Sequence, residues 1–189
     1  MNLNIEKMRS FYRLNNIVRY NTWGKINPET VASHSYFTTL FTMMICDELG
    51  VDSETKLVAL QLSVIHDLSE SITNDITYDA KCKMPKINAI LKEYEDQYVS
   101  DHFPELVGVN AEDGLANLIV KIADVLSVVQ YCDNEVNLGN KKFTKLLVEA
   151  MDRLKVENQK LGKFHNKNLS PVLRKLNNEI FTQIFNENL

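Results

Sequence analysis

Apolar residues recur along this chain every three or four positions, the spacing of one face of an α-helix. Residues 3–16 predict a first amphipathic helix, with Leu3, Met8, Phe11 and Tyr12 turned inward. A loop follows from Arg19 to Thr30. A second helix is expected from Val31 to Leu49, apolar at Phe37, Leu40, Phe41, Met44 and Ile45. A third begins near Ser53 and carries Leu57, Leu60, Leu62 and Ile65 up to His66. The stretch from Glu70 to Lys81 is polar and broken around Asn74, and the charged segment 86–102 reads as a peripheral helix. Leu115, Leu118, Ile119, Ile122, Leu126 and Val129 mark a well-buried helix, and 141–161 and 170–186 predict two more. Gly50, Gly108, Gly139 and Gly162 each follow a helical stretch, where glycine commonly ends a helix in the left-handed conformation. Sustained two-residue alternation bounded by hairpin turns is absent, so the expected fold class is all-α.

Composition narrows the class. The chain has 189 residues, 44% of them hydrophobic and 24% charged, which suits one globular domain over 1–189. Twenty-one basic and 25 acidic residues leave a net charge of −4. That balance argues against nucleic acid as a partner, because duplex binding needs a dense cationic face. Cys46, Cys82 and Cys132 form no CxxC pair and predict reduced thiols in a cytoplasmic protein. Charges interrupt the apolar residues of the N-terminal segment, unlike a signal peptide. No run approaches the roughly 20 apolar residues that span a bilayer, so no membrane partner is expected.

The candidate chemistry lies on three helices. His66 and Asp67 end the apolar run LVALQLSVIHDLSE, and on a continuing helix Glu70 would share their face. His34 precedes an aromatic, apolar stripe, and Asp124 is surrounded by aliphatic residues. Taken singly, each has an ordinary explanation. A histidine like His34 is more often a satisfied core or cap residue. Asp124 could pair with Lys121 or Arg19, and Glu70 and Asp75 resemble solvated turn carboxylates. Taken together, two imidazoles and two carboxylates make a mixed N/O donor set. Such a set suits Mn, Fe, Co, Ni or Zn better than Ca or Mg.

The order of these residues resembles the HD-domain metal-dependent phosphohydrolases, and within them the YfbR-type 5′-deoxynucleotidases. The residues that carry the resemblance are Arg19-Tyr20, then Glu29-Thr30-Val31-Ala32-Ser33-His34-Ser35. His66-Asp67-Leu68-Ser69-Glu70 through Asp75 and Lys121-Ile122-Ala123-Asp124 complete the pattern. It covers about residues 13–160. The resemblance implies an HD-domain helical bundle and one divalent transition metal, Co, Mn, Zn, Fe or Ni, held by His34, His66, Asp67 and Asp124. It implies Glu70 and Asp75 as catalytic groups outside the metal set. Arg19 would clamp phosphate, with Tyr20, Lys81 and Lys121 as further substrate-binding residues, and the protein would be a homo-oligomer, a dimer or larger. Three departures stand out. Ser33 replaces the usual acidic residue before the first metal histidine, Tyr20 replaces a frequent Trp, and Ile76-Thr77-Tyr78-Asp79-Ala80 replaces a Pro-rich stretch.

The expected activity is removal of the 5′-phosphate from (deoxy)nucleoside monophosphates. Small phage-type dATP triphosphohydrolases share the scaffold, so release of triphosphate from a dNTP is the alternative on the same site. A non-catalytic helical nucleotide-binding or scaffold module is the alternative of another class. It has no need to keep four ligands and two extra carboxylates together.

Overall fold

The computed structural model describes residues 4–106 and 114–186, with side chains for all of these except 79 and 181–186. Nine α-helices make up the described fold: α1 (Ile5–Tyr12), α2 (Val31–Leu49), α3 (Ser53–Ile65), α4 (Glu70–Thr73), α5 (Tyr78–Lys83), α6 (Pro85–His102), α7 (Leu115–Asn137), α8 (Phe143–His165) and α9 (Ser170–Asn186). A bridge between Val18 and Thr30 is the β pairing found among the described residues. The all-α expectation therefore holds.

α7 is the axis of the molecule and packs against α8, α2 and α3. Leu118, Ile119, Ile122, Ala123 and Cys132 on α7 are fully buried, as are Phe143, Leu147 and Leu161 on α8. By length and composition α7 could cross a bilayer, contrary to the sequence expectation. Most of it is buried inside the protein, which is how a soluble core helix passes the same test. A second, smaller cluster gathers Leu14, Val31, Ile65, Leu68, Tyr98 and Leu106 beneath α6. α6 buries only Tyr98 among its own residues, in keeping with its charged sequence.

Several sequence expectations are corrected. Met8 and Tyr12 are exposed and only Phe11 of the expected α1 face packs, while Leu3 and Gly108 lie outside the described residues. α1 packs mainly on α4 and the 3₁₀ turn Arg13–Asn16, with Phe11 reaching His102 and Phe103, so much of its outer face stays exposed. On α2 the face turned to the core is His34, Thr38, Thr42, Ile45, Cys46 and Leu49. Phe37, Leu40 and Met44 point to solvent instead. Thr42 can be buried because its hydroxyl donates to the Thr38 carbonyl at 2.9 Å. Leu57 of α3 is also exposed. Gly50 and Gly139 take positive φ after α2 and α7, but Gly162 lies inside α8. That helix ends instead at Asn166, whose short polar side chain tolerates φ 50°. The polar stretch after Asn74 contains α5, which periodicity did not reveal because six residues are under two turns.

Ile122→Ala removes a fully buried side chain and should destabilise the protein by about 2–5 kcal/mol in denaturant unfolding. Leu57→Ser should cost under about 1 kcal/mol, although the sequence pattern would place both residues in the core.

Candidate metal centre and phosphate site

His34 sits one turn into α2, whose start is fixed by a reciprocal cap. The Ser33 amide donates to Thr30 Oγ1 at 3.2 Å, and the Thr30 amide donates to Ser33 Oγ at 3.0 Å. An acidic residue commonly makes the second of these bonds, so Ser33 fills the capping role by a shorter route. His66 ends α3. The backbone does not continue as α-helix to Glu70. The amides of Leu68, Glu70, Ser71 and Ile72 bond to carbonyls three residues back. This tighter winding breaks the i, i+4 face expected for His66 and Glu70. Asp124 comes from the middle of α7.

Donor atoms of His34, His66 and Asp67 lie within 4.8 Å of one another, and Asp124 joins them through His34. His34 Nε2 lies 3.1 Å from Asp124 Oδ1, 3.5 Å from Asp67 Oδ2 and 3.3 Å from His66 Nε2. His66 Nε2 is 3.2 Å from Asp67 Oδ2. Donors around an ion with bonds of about 2.0–2.2 Å sit roughly 3.0–3.5 Å apart, so the spacing suits a divalent transition metal. Both imidazoles are oriented from behind. His66 Nδ1 donates to the Ser63 carbonyl at 2.8 Å, which makes Nε2 the nitrogen that offers a lone pair once its proton is displaced. His34 Nδ1 meets Ser127 Oγ at 3.0 Å. Ser127 was not singled out in the sequence, though it lies three residues after Asp124, one turn further along the same helix.

Charge explains the protonation of this cluster. Burial, with the positive Arg19 nearby, pushes His34 down to about 4 against the pull of Asp124. Burial opposes a charge on His66 too, but Asp67 outweighs it and raises His66 to about 9. Burial would raise both aspartates. His66 instead holds Asp67 well below the usual range, and the His34 hydrogen bond holds Asp124 down to about 2. The cluster offsets two carboxylates with a proton on His66, a task that a divalent cation would perform better.

Arg19 is brought here by the pinched loop 17–30. Its amide donates to the Glu29 carbonyl and the Val31 amide to the Ile17 carbonyl, each at 2.9 Å. Its guanidinium donates to Glu29 Oε2 at 2.9 Å. Burial disfavours its charge, but the carboxylates of Glu29, Asp67 and Asp124 hold it firmly protonated. Glu29 lay in the sequence motif without a role, and it is the anchor of this arginine. Glu135 is a second anchor that the sequence did not flag. Fully buried on α7, it accepts from the Ile26 amide at 2.9 Å and the Asn27 amide at 2.7 Å.

The remaining sequence candidates are placed as follows. Glu70 is buried, and Oε2 has no hydrogen-bond partner. Burial, helped by Asp67 and Asp75, raises its carboxyl to about 9. Asp75 follows Asn74, whose φ of 67° turns the chain back. Asp75 Oδ2 accepts from the Tyr20 amide at 3.1 Å, and burial raises its pKa. Lys81 on α5 lies near Glu70 and Asp75 and 4.0 Å from Glu95 Oε1. Lys121 is half-buried on α7, one turn before Asp124. Tyr20 is held with φ 54° and stacks on Tyr131 at 5.0 Å and 8°. Its ring is thus largely a packing element, although it borders a cavity of about 500 Å³ that opens from Arg19 and Asp75.

The helical fold is the one that solved HD-domain phosphohydrolases adopt. Comparison with known proteins specifies the family. The family profile described as 5′-deoxynucleotidase YfbR-like matches residues 7–172, and the chain belongs to that family. It is a metal-dependent nucleotide phosphohydrolase. A conserved hypothetical protein from Pyrococcus furiosus is similar at 27% identity and TM-score 0.72, over 95% of this chain and 99% of that one. A protein from Pyrococcus horikoshii OT3 is similar at 26% identity and TM-score 0.72, over 91% and 97% of the two chains. The cyanophage S-2L HD phosphohydrolase DatZ, solved with dA and one catalytic Zn²⁺ ion, shares the fold. Its identity is 18% and its TM-score 0.62, over 92% of this chain and 99% of that one. No curated protein sequence matches the chain.

The metal-free protein should lose stability as pH rises from about 5 to about 9. Glu70 has a folded pKa of about 9 against an ordinary 4.5, so the folded state binds more protons across that window. His66, raised from 6.5 to about 9, adds to the same slope above pH 6.5. Melting temperatures measured across this range should fall less steeply for Glu70→Gln. An unchanged slope would show that Glu70 ionises freely in the fold.

Proposed function

We propose that the protein removes the 5′-phosphate of deoxynucleoside monophosphates. What supports the reading is the position of Arg19, a buried cation facing Asp67 and Asp124 with the cavity opening beside it. A single phosphate between that guanidinium and the ligand cluster leaves its nucleoside in the cavity. Arginine suits the task because its planar fork matches phosphate oxygens and keeps its charge. Lys81 and Lys121 are secondary cations for the same anion.

His34, His66, Asp67 and Asp124 are the proposed ligands of one divalent ion, with Mn, Co, Zn, Fe or Ni suited to the donor set. When bound, the ion polarises the phosphoryl oxygens and acidifies water. Arg19 binds the phosphate and orients it. We assign Glu70, close to Asp67 and absent from the cavity lining, to the attacking water. It accepts the water's proton once the negative charge of Asp67 is offset. Asp75 lines the cavity with Arg19, so it faces the leaving 5′-oxygen and delivers its proton there. Its raised pKa favours the protonated form that this step requires.

We further propose a homodimer or larger assembly of a single-domain, cytoplasmic protein. Tyr36, Phe37, Leu40, Met43 and Met44 lie exposed along one face of α2, an apolar stripe of the kind that marks an interface. A second copy supplies the same stripe, and a twofold axis would set the two against each other. The three described cysteines are free, in keeping with a reducing compartment.

His66→Ala and Asp124→Ala should each lose bound metal, read by elemental analysis. Glu70→Gln and Asp75→Asn should keep the metal and lose at least about 10²-fold in kcat. Release of inorganic phosphate from dNMPs is the expected product. Inorganic triphosphate released from dNTPs in preference would transfer the function to the triphosphohydrolase alternative. Light scattering should report a dimer that Leu40→Glu converts to monomer.

A further inference from the structure

We propose that the cavity selects guanine among the nucleobases, read by Arg153 and Glu149 on α8 with Tyr78 holding the arginine plane. The proposal rests on the nucleotide reading above and adds the identity of the base. The cavity runs from Arg19 and Asp75 to a wall formed by α8 and the start of α5. About 500 Å³ lies within the range of small-molecule sites and leaves room for a nucleoside. Trp23 contributes an aromatic surface to its lining.

Glu149 and Arg153 stand one turn apart on α8, and both line the cavity. Residues four apart on a helix have Cβ atoms about 5–6 Å from each other, so their head groups can meet neighbouring edges of one base. The Arg153 Cζ lies 4.3 Å from the centroid of the Tyr78 ring. With one face of the guanidinium covered, its N–H donors remain free in the plane. A planar fork of this kind matches two adjacent acceptors, as guanine presents with O6 and N7. A carboxylate matches two adjacent donors, which guanine presents with N1–H and its 2-amino group. Cytosine has adjacent acceptors but a single donor group. Adenine has no adjacent acceptors, and the two carbonyls of thymine flank an N–H. Guanine alone satisfies both side chains.

The two residues are available for this exchange. Glu149 now faces Lys145 at 3.7 Å in a solvent-exposed pair, an interaction of little worth. Tyr78 follows Asp75 by three residues, so the segment that positions the acid beside the phosphate also braces the base wall.

Two measurements test the proposal. The first is kcat/KM for dGMP, dAMP, dCMP and dTMP with manganese. The second is calorimetric binding of deoxyguanosine and deoxyadenosine to the metal-free protein, which needs no phosphate chemistry. Guanine should be preferred about tenfold or more in both. Arg153→Lys keeps the charge but loses the fork, and Glu149→Gln loses one acceptor. Each should lower the guanine-to-adenine ratio by about tenfold, while Tyr78→Phe should preserve it. Equal treatment of the four bases by the wild type would overturn the proposal, as would variants that lower all four alike. Preferred binding of deoxyguanosine without turnover of any nucleotide would support the base assignment while defeating the hydrolase reading, so the two failures are distinguishable.

Discussion

The fully buried His34 Nε2 has Asp124, His66 and Asp67 within 3.5 Å of it, and the rest of the structure is arranged around that demand. Burying such groups is costly unless their charges and hydrogen bonds are matched. The cluster sits at the seam between two apolar regions. Ile65 and Leu68, flanking His66 and Asp67, belong to the smaller one, whereas Ala123 and Val125, flanking Asp124, are deeply buried beside it on α7. Neither region has to enclose the charges by itself. Ser127 and the Ser63 carbonyl satisfy the outer nitrogens of the two histidines and leave the inner ones converging.

A chain of anchors carries the same demand to Arg19. Glu135 holds the amides of Ile26 and Asn27, and the bridge between Val18 and Thr30 closes the loop. Glu29 then fixes the guanidinium of Arg19. Tyr20 adopts a left-handed backbone, which a side chain rarely does unless its surroundings impose it. Its amide bonds to Asp75 while its ring is clamped against Tyr131. Packing in the core therefore holds the strain that joins the arginine to the carboxylate.

The departures from helical regularity have a common logic. Between His66 and Ile72 the backbone winds with three-residue hydrogen bonds, which separates Glu70 from the face of His66 and Asp67. Asn74 then reverses the chain, so Asp75 reaches the cavity while Glu70 stays buried. Two carboxylates five residues apart thus meet different surroundings. One is buried near Asp67, and the other lines the cavity with Arg19.

Helical periodicity was enough to place α2, α3 and α6 to α9, because long runs of apolar spacing reflect local backbone geometry and one buried face. His34, His66, Asp67 and Asp124 stood out for a similar reason, as polar groups on or beside apolar helices, whereas Arg19, in a loop, was singled out by the family resemblance alone. The direction of each face was less legible. Met8, Leu40, Met44 and Leu57 fit the apolar pattern and are nevertheless exposed, because burial depends on whether another helix comes to cover them. Thr38 and Thr42 look polar and lie inside. The roles of Glu29, Ser127 and Glu135 depend on partners up to 109 residues away, and no local pattern records such partners. The residue types of the site were written locally. Their meeting at one point, and the cavity beside it, came from how α2, α3, α7 and α8 pack, since long-range contact sets the distances between groups that the sequence keeps apart.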